Sequence, residues 1–390
     1  MQMPNYLEKL LDGVEVEWKA LGEVCKVFNG YAFQSKLFNA EGDGLPIIRI
    51  RDVNTGFSET YYSGGYDKRY LVADGDILIG MDGDFRVVRW KHGRALLNQR
   101  VCRLQEFTPE MLPDFMYYLV QDELDRIHSK IQGSTVKHLS SRELEQSIIP
   151  VPPLDVQGEI VRILDTFTEL TAELTAELNL RKQQYQYYRD QLLTFEEGEV
   201  EWKTLGELAE NLDSKRKPIT SGLREAGNIP YYGASGIVDY VKDYIFDGDF
   251  LLVSEDGANL LARNTPIAFS ISGKTWVNNH AHVLKFDTYA ERRYVEYYLN
   301  SIDLTPYISG AAQPKLNKKN LESIRIPNPS PTEKERIVAI LDKFDTLVNS
   351  LTEGLPREIE LRQQQYEYYR DLLLSLRHHG LRIRVVGQAR

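Results

Sequence analysis

The sequence is poor in cysteine and in long apolar stretches. Only Cys25 and Cys102 occur among its 390 residues, which is too few for a disulfide framework and lacks the spacing of a zinc site. No stretch approaches the roughly 20 apolar residues that cross a membrane. The first eleven residues lack the basic start and apolar run of a signal peptide. These absences predict a cytoplasmic protein that contacts no membrane and keeps both thiols reduced.

An excess of positive charge is also missing. The formal net charge of -10 argues against a protein that coats nucleic acid indiscriminately, although it does not exclude specific binding. Acidic residues concentrate in and beside the predicted helices, which leaves the intervening stretches more basic. With 42% hydrophobic residues over this length, the chain is expected to form two or three domains.

The sequence contains an internal duplication. Residues 181–193 (RKQQYQYYRDQLL) and 362–374 (RQQQYEYYRDLLL) are identical at ten of thirteen positions, and IVRILDTF at 160–167 matches IVAILDKF at 337–344. Apolar residues in both copies alternate steps of three and four, which favours long helices that pair as a coiled coil. A continuous helix over residues 156–195 would be roughly 60 Å long at about 1.5 Å per residue.

The two predicted helices differ in one respect. The second copy is four residues longer between its repeated segments, and it contains Gly354 and Pro356. Proline removes a backbone donor and clashes with the preceding turn. We therefore predict that the second helix kinks or restarts there.

The segments before the helices also match each other. VEWKALGE at residues 16–23 recurs as VEWKTLGE at 200–207, GDILIG at 75–80 matches GDFLLV at 248–253, and LNQR at 97–100 matches VNNH at 277–280. Short apolar runs between Gly, Asp and Asn predict strands, and residues 113–131 have helical spacing. The sequence predicts a mixed α/β (α+β) fold with two similar globular domains, a pseudo-two-fold relation and two long antiparallel coiled-coil helices.

The predicted boundaries follow from these matches. They are a first domain with a short N-terminal helix at 1–152, a central helix at 153–198, a second domain at 199–329, a C-terminal helix at 330–378 and a basic tail at 379–390. The tail has no acidic residue. We expect it to be disordered, either as a natural extension or as a cloning remnant.

These motifs resemble the DNA-specificity subunit of type I restriction-modification systems. The two tyrosine-rich segments, the VEWKxLGE and IVxILDxF phrases and the repeat LTAELTAEL at 170–178 are similar to the subgroup of that family that carries this tetrapeptide. The resemblance covers nearly the whole chain. It implies that two target-recognition domains each read one half of a bipartite site in double-stranded DNA, and that the helices act as the spacer.

The resemblance also implies partners and cofactors. The subunit itself would be non-catalytic and would bind no cofactor. Two methyltransferase (modification) subunits would supply S-adenosylmethionine, and restriction or motor subunits would supply the ATP and Mg dependence. One more Thr-Ala-Glu-Leu unit would lengthen the helix by about 6 Å, against roughly 3.4 Å per base pair, so the repeat number is expected to set the number of unread base pairs.

In the first domain, one basic stretch stands out in an otherwise acidic chain. Guanidinium groups suit guanine edges and phosphates, and a solvated hairpin is the alternative interpretation. The candidate DNA contacts are Arg86, Arg89, Trp90, Lys91, Arg94 and Arg100. Lys137 occupies a position equivalent to Lys315 in the second domain, and both lysines are expected to contact the DNA backbone.

In the second domain, the candidates are basic, amide and small polar residues in predicted loops. Side-chain amides can bind adenine with two hydrogen bonds, and a purely structural role is the alternative interpretation for each of these residues. The candidates are Lys215, Arg216, Lys217, Ser235, Asn259, Arg263, Lys274, Asn278, Asn279 and Lys315.

Two triplets of tyrosines lie on the repeated helices. They cover more than one helix face, so some must pack between helices and the others would form an exposed aromatic patch of the kind that partner subunits use. The candidates for docking a methyltransferase are Tyr185, Tyr187, Tyr188, Tyr366, Tyr368 and Tyr369.

The alternative functions are a DNA methyltransferase and a coiled-coil scaffold. A DNA methyltransferase would need an Asn/Asp-Pro-Pro-aromatic loop, whereas residues 328–331 lack the aromatic residue; a coiled-coil scaffold without DNA specificity needs only the helices. His280 and His282 share a strand face but lack further metal ligands nearby. Asp82 with Asp84 and Glu255 with Asp256 are more typical of turns than of a magnesium site, so no metal is predicted.

Overall fold

The computed structural model divides the chain into two compact units. Unit 1 comprises Met1–Ala172 and Glu360–Arg390, and unit 2 comprises Glu173–Ile359. Both unit boundaries fall inside the predicted helical segments. The structure describes residue 10 and residues 13–83, 85–130, 138–196, 198–310, 313–375 and 384–386.

Unit 1 contains three sheets in its described residues. Their orders are β11-β1-β22, β2-β10-β7-β8 and β3-β5-β4-β9-β6. The strands are β1 (Glu15–Ala20), β2 (Lys26–Asn29), β3 (Phe38–Asn39), β4 (Leu45–Ile48), β5 (Tyr61–Tyr62), β6 (Leu71–Val72), β7 (Ile77–Gly80), β8 (Val87–Arg89), β9 (Ala95–Leu97), β10 (Val101–Gln105), β11 (Ile148–Val151) and β22 (Arg384–Val386).

Unit 2 repeats much of this plan. Its sheets have the orders β12-β21, β13-β20-β17-β18 and β15-β14-β19-β16. The strands are β12 (Glu201–Thr204), β13 (Glu210–Asn211), β14 (Ala226–Gly233), β15 (Gly236–Val241), β16 (Phe246–Asp247), β17 (Phe250–Ser254), β18 (Ala268–Ile271), β19 (Lys274–Val277), β20 (Ala281–Lys285) and β21 (Arg325–Asn328).

The two central sheets are equivalent strand by strand. In each, the middle strand, β7 or β17, is buried at every position and pairs antiparallel with a neighbour on either side. Continuous apolar runs suit a strand that is covered on both faces. The adjoining sheets also agree, because β4 with β9 and β14 with β19 are parallel pairs.

The α-helices comprise both short segments and long helices. The α-helices are α1 (Leu21–Val24), α2 (Ile50–Thr55), α3 (Pro113–Lys130), α4 (Ser141–Glu145), α5 (Leu154–Leu193), α6 (Leu205–Leu208), α7 (Asn259–Ala262), α8 (Tyr289–Ser301), α9 (Lys318–Glu322), α10 (Pro331–Asn349) and α11 (Gly354–Ser375). Short 3-10 helices are Ser35–Leu37, Lys68–Tyr70, Asp213–Lys215, Ser221–Leu223 and Thr305–Tyr307.

The second repeated helix is broken where the sequence predicted a restart. The first copy, α5, is continuous over 40 residues, whereas the second ends at Asn349 and resumes at Gly354 as α10 and α11. Gly354 has a φ of +74°, and an added Cβ would lie 2.4 Å from the carbonyl oxygen of Thr346. Pro356 follows in the first turn of α11, where its missing N–H costs least. The predicted restart is confirmed.

The C-terminal end of each repeated helical segment packs into the core of one unit. That unit also contains the start of the other repeated segment. In unit 1, Tyr369 stacks on Phe167 with ring centroids 5.4 Å apart and planes at 28°. In unit 2, Tyr188 stacks on Phe344 at 5.6 Å and 27°. Leu373 and Leu374 lie in the unit 1 core, and Leu193 lies in the unit 2 core. The duplicated sequence therefore makes the same contact twice, in reciprocal fashion.

The last strand of the chain lies in the C-terminal tail. β22 pairs in parallel with β1, so three residues of the tail that was expected to be disordered form a strand; the remainder of the tail and most of the predicted N-terminal helix lie outside the described residues. Among the residues that the structure describes, no helix is long and apolar enough to cross a membrane. The mixed α/β class with two similar domains and a long helix is confirmed.

Candidate nucleic-acid interface

One edge of the central sheet has the same backbone hydrogen bond in both units. In unit 1 the backbone amide of Met81 donates to the carbonyl oxygen of Arg100 at 2.8 Å, and in unit 2 the amide of Glu255 donates to that of His280 at 2.9 Å. Arg100 ends the turn before β10, and His280 ends the turn before β20. The two residues therefore occupy equivalent positions, as the match between residues 97–100 and 277–280 predicted.

Strand pairing corrects the other sequence match by one residue. Val101 faces Gly80 in unit 1, and Ala281 faces Ser254 in unit 2. Gly80 thus corresponds to Ser254, whereas the sequence match paired it with Val253. The edge is consequently built from Met81 and Asp82 in unit 1 and from the two acidic residues 255 and 256 in unit 2.

In unit 1, a carboxylate positions basic side chains at this edge. Asp82 lies 3.3 Å from Nη1 of Arg100 and 2.5 Å from Nδ1 of His138. The side chains of Arg100 and His138 are 55% and 46% exposed. Arg86 lies at the same edge, because its carbonyl oxygen accepts from the amide of Gly80. Its side chain is exposed.

In unit 2, two carboxylates do the same. Asp256 lies 2.8 Å from Nδ1 of His280, and Glu255 lies 3.0 Å from Nζ of Lys315. The side chains of His280 and Lys315 are 50% and 51% exposed. Both edges therefore present basic side chains on a fixed framework, which suits contacts to phosphates and base edges.

An adjacent loop brings a further residue to each edge. The amide of Tyr31 donates to the carbonyl oxygen of Leu97 at 3.0 Å, and the amide of Lys217 donates to that of Val277 at 3.4 Å. Tyr31 and Lys217 are thus equivalent, and both are exposed. Ser235 follows Ala234, whose carbonyl oxygen accepts from the hydroxyl of Ser254 at the end of β17. Ser235 is exposed at the same end of the strand.

Beneath the unit 2 edge lies a buried ionic network. His282 has both ring nitrogens opposite acceptors, with Nδ1 2.5 Å from Asp213 and Nε2 2.7 Å from the carbonyl oxygen of Leu316. Arg216 bridges the carboxylates, at 2.6 Å from Glu255 and 3.3 Å from Asp213. Burial raises the pKa of both carboxyls, but hydrogen bonds outweigh it, from His282 to Asp213 and from Arg216 to Glu255, so the pKa of each is lowered.

The equivalent interior of unit 1 is apolar. Cys102 faces Ile79 in the strand register, as His282 faces Val253. Its sulfur lies 3.3 Å from that of Met81. The same backbone position thus carries an imidazole in one unit and a thiol in the other.

The network also resembles a metal site in its donor atoms. Asp213, Glu255 and His282 offer ligand atoms within 4.8 Å of one another. The guanidinium of Arg216 already pairs with both carboxylates, and Nε2 of His282 donates to a carbonyl. We therefore interpret this cluster as a structural ion network. His280 points to Asp256 instead of joining it.

Two predicted contacts of the first domain have structural roles. Arg89 lies over the ring of Tyr117 at 4.7 Å and pairs with Asp114 at 3.0 Å and with Asp165 at 3.9 Å. Trp90 is 1% exposed and donates from Nε1 to the carbonyl oxygen of Gly93. Both side chains make contacts within the protein, because successive side chains of the strand after Arg86 point alternately toward α3 and toward the core.

The remaining basic residues of that stretch lie at the opposite end of the strands. Lys91 and Arg94 are exposed, but they flank Gly93, whose amide donates to Asp74 just before β7. The structure therefore separates them from Arg86 and Arg100. Lys137 lies outside the described residues.

Several second-domain candidates are also occupied within the protein. Arg216 is the bridge of the buried network, the amide of Asn259 closes a loop with the backbone of Thr265, and Asn278 is 7% exposed and accepts from the amide of His280. Arg263 lines a cavity with Tyr185 and Glu296, and burial lowers its pKa.

The other second-domain candidates fall into two groups. Lys217, Ser235, Asn279 and Lys315 lie at the edge described above. Lys274 begins β19, at the end opposite to Asn279, and its Nζ lies 4.6 Å from the ring of Tyr244. Lys215 lines a separate cavity with Glu210 and Asp247.

Sequence reasoning missed four exposed residues of the two edges. They are Tyr31, Gln99, His138 and His280. The match between residues 97–100 and 277–280 contained the signal for two of them, since a shared framework with different residues marks equivalent positions. The turn that exposes each residue was not visible in the sequence.

In each triplet the middle tyrosine is the most exposed, and Tyr188 of the first triplet is also 40% exposed. Tyr187 and Tyr368 are 61% and 63% exposed, and each contacts the next tyrosine edge-on. Tyr188 and Tyr369 stack on phenylalanine as described above. Tyr185 and Tyr366 pack against the cores. The exposed pair thus occupies equivalent helix positions.

Comparison with known proteins gives a consistent result. The family model described as type I restriction modification DNA specificity domain matches residues 13–181 and 197–361. The specificity subunit of the Escherichia coli type I restriction enzyme EcoR124I/EcoR124II is 36% identical over 96% of this chain and 98% of that protein. The specificity subunit of the EcoprrI enzyme from the same organism is 34% identical over 90% and 92%.

Solved structures share the fold. The S subunit of a type I restriction-modification system from M. genitalium matches with a TM-score of 0.60 at 16% identity, over 93% of this chain and 96% of that one. A chain from a structure described as the basis of complex assembly and conformational transition of the type I R-M system matches with a TM-score of 0.54, over 92% and 97%. The repeated domain, the tyrosine-rich helices and these relatives together show that the chain belongs to the family of type I restriction-modification DNA specificity subunits.

Proposed function

We propose that each unit of this specificity subunit reads one half of a bipartite sequence in double-stranded DNA through the sheet edge described above. The observation that carries the proposal is that the two edges share backbone hydrogen bonds but differ in side chains at equivalent positions. A common framework with different exposed groups suits two related recognition surfaces of different specificity. In unit 1 the contacts are Arg86, Arg100 and His138, and in unit 2 they are Lys217, Ser235, Asn279, His280 and Lys315.

The length of α5 is proposed to set the spacing between the two half-sites. The repeat at residues 170–178 lies inside this continuous helix, so each added Thr-Ala-Glu-Leu unit extends it by about 6 Å. The number of unread base pairs between the half-sites should rise accordingly. Recognition of the original spacing by a subunit with one more unit contradicts this part of the proposal.

Chemistry is assigned to other subunits. Two methyltransferase subunits dock on the helices and bind S-adenosylmethionine, and restriction subunits depend on ATP and Mg. Tyr187 and Tyr368 are the proposed docking residues, because exposed aromatic side chains at equivalent helix positions suit two copies of one partner. The chain itself transfers no methyl group and binds no cofactor.

DNA recognition is tested by sequencing methylated sites in cells that carry the whole system. The expected result is one bipartite motif with a fixed gap. Replacing residues 13–152 by the corresponding segment of a relative should change one half of the motif and leave the other half and the gap unchanged. Methylation without any sequence preference contradicts the proposal, and stable assembly with partners but no selective DNA binding favours a scaffold.

Docking is tested by co-purification with the methyltransferase subunit. Tyr187→Ser and Tyr368→Ser together should abolish the complex, while each single change should remove one of two copies. Tyr66→Ser, another exposed tyrosine, is the matched control and should retain both copies. Full assembly of the double variant with unchanged helicity rules out these tyrosines.

A further inference from the structure

The two equivalent turns each expose one side-chain amide, Gln99 in unit 1 and Asn279 in unit 2. We infer that these two residues are the equivalent base-reading residues of the protein, each selecting an adenine in the half-site that its unit contacts. The inference rests on the proposed function, and it assigns a specificity-determining residue to each half.

Both turns are held in the same place by backbone contacts. The amide of Asn98 donates to the carbonyl oxygen of Ile48 at 3.3 Å, and the amide of Asn278 donates to that of Tyr232 at 3.1 Å. In unit 1, Gly30 packs so closely that an added Cβ would lie 2.1 Å from the carbonyl oxygen of Asn98. A rigid turn fixes the direction of the residue that follows, which recognition of a base edge requires.

The first amide of each turn is buried in the protein, whereas the second is exposed. Asn98 and Asn278 are both 7% exposed, and the side-chain oxygen of Asn278 accepts from the amide of His280. Gln99 and Asn279 are exposed, and their side chains have no hydrogen-bond partner among the residues that the structure describes. Only the second amide is therefore available to a ligand.

The residue that follows each free amide is a restrained cation or imidazole. Arg100 is held by Asp82, and His280 is held by Asp256. Arg100 also has a φ of +70°, a conformation that costs free energy in a residue with a side chain and that clusters at functional sites. The pair of amide and cation matches one base edge together with an adjacent base or phosphate.

The amide group fits adenine in particular. Its oxygen accepts from the N6 amino group while its nitrogen donates to N7, a bidentate contact that other bases cannot reproduce in the major groove. Gln99 reaches one methylene further than Asn279. The two units are thus expected to approach their adenines at slightly different distances on otherwise equivalent frameworks.

The test uses the subunit assembled with its methyltransferase partner and DNA duplexes that carry the motif found by methylation sequencing. Gln99→Ala should relax one A·T position in one half-site, and Asn279→Ala one position in the other. Discrimination against the wrong base at that position should fall roughly tenfold to hundredfold. Asn264→Ala, which removes an exposed amide outside both turns, is the control and should leave every position unchanged.

Isosteric variants keep the test decisive if a turn fails to fold. Gln99→Glu and Asn279→Asp preserve shape but can only accept, so they should shift preference from adenine toward cytosine. Unchanged preference at all positions, with selective binding intact, overturns the inference while the proposed function stands. An equal loss of affinity for all sequences indicates a phosphate contact and also overturns it. Absence of sequence selectivity in the unmodified complex instead refutes the proposed function.

Discussion

The two units have different chemistry at the same interior position. In unit 1 the sulfur atoms of Met81, just after β7, and Cys102, in β10, lie 3.3 Å apart. At the equivalent positions of unit 2, Glu255 and His282 belong to a buried ionic network. The backbone hydrogen bonds are the same. A duplicated framework therefore tolerates different chemistry in its core where the buried charged groups are paired with one another.

The network shows why a basic residue need not be a DNA contact. Arg216 and Lys217 are neighbours in sequence and both have basic side chains. The side chain of Arg216 is 12% exposed and bridges two carboxylates, whereas Lys217 is exposed at the edge. In unit 1 the same contrast separates Arg89, which packs on Tyr117, from Arg86.

The largest expected effect comes from breaking the charged interior. Arg216→Leu leaves Asp213 and Glu255 buried without their cation, and it should lower the free energy of unfolding of unit 2 by about 3–5 kcal/mol. Hydrogen exchange of β17 and β20 should accelerate, while that of β7 and β10 should not change. Lys217→Leu is the adjacent control and should shift stability by less than about 0.5 kcal/mol. Equal exchange in the Arg216 variant and the parent would show that the network contributes nothing.

The second effect depends on pH. Glu255→Gln should cost about 1.5–3 kcal/mol at pH 7, because a charged hydrogen-bond acceptor is lost. The pKa of Glu255 is lowered in the folded state, so the stability that it contributes is present above its unfolded value and is lost as pH falls through the folded one.

The quantity to measure is therefore the difference in the free energy of unfolding between the parent protein and Glu255→Gln. It should be constant above about pH 5 and should shrink as the pH falls below the ordinary carboxyl range near 4.5. Met81→Leu, at the equivalent position of unit 1, should give a difference that does not vary with pH. A Glu255 difference that grows on acidification would reverse the assigned sign.

A smaller effect tests the likeness of the units instead of their difference. Tyr188→Leu and Tyr369→Leu remove the reciprocal stacks on Phe344 and Phe167, and each should cost about 0.5–1.5 kcal/mol. The two losses should agree within experimental error, with each detected by hydrogen exchange in its own unit. A loss confined to one variant would mean that the duplicated contact is not energetically equivalent.

The smallest expected effect is on thiol labelling, which reports the unfolding of unit 1. Cys25 and Cys102 are buried in unit 1, and burial raises the pKa of Cys25 to about 12. Labelling by a neutral maleimide should therefore be slow in the native protein and should follow the unfolding of unit 1 in urea. Arg216→Leu should leave this labelling curve in place. A shift would mean that the two units unfold together.

Sequence patterns predicted the large elements well. The apolar period of the repeated segments predicted α5, the glycine and proline predicted the break before α11, and the matched phrases predicted two similar α/β units. These features depend on local backbone preference and on periodic burial, which neighbouring residues encode. Family membership followed from the same repeated motifs.

Only the tertiary structure decided which side chains remain available at the surface. Asn278 and Asn279 have the same chemistry, yet one is buried and bonded within its turn while the other is exposed. That choice depends on where Tyr232 and its strand run, about 46 residues earlier in the sequence. Local sequence fixes what a residue is able to bind, but the partners supplied by distant segments determine whether it is free to bind at all.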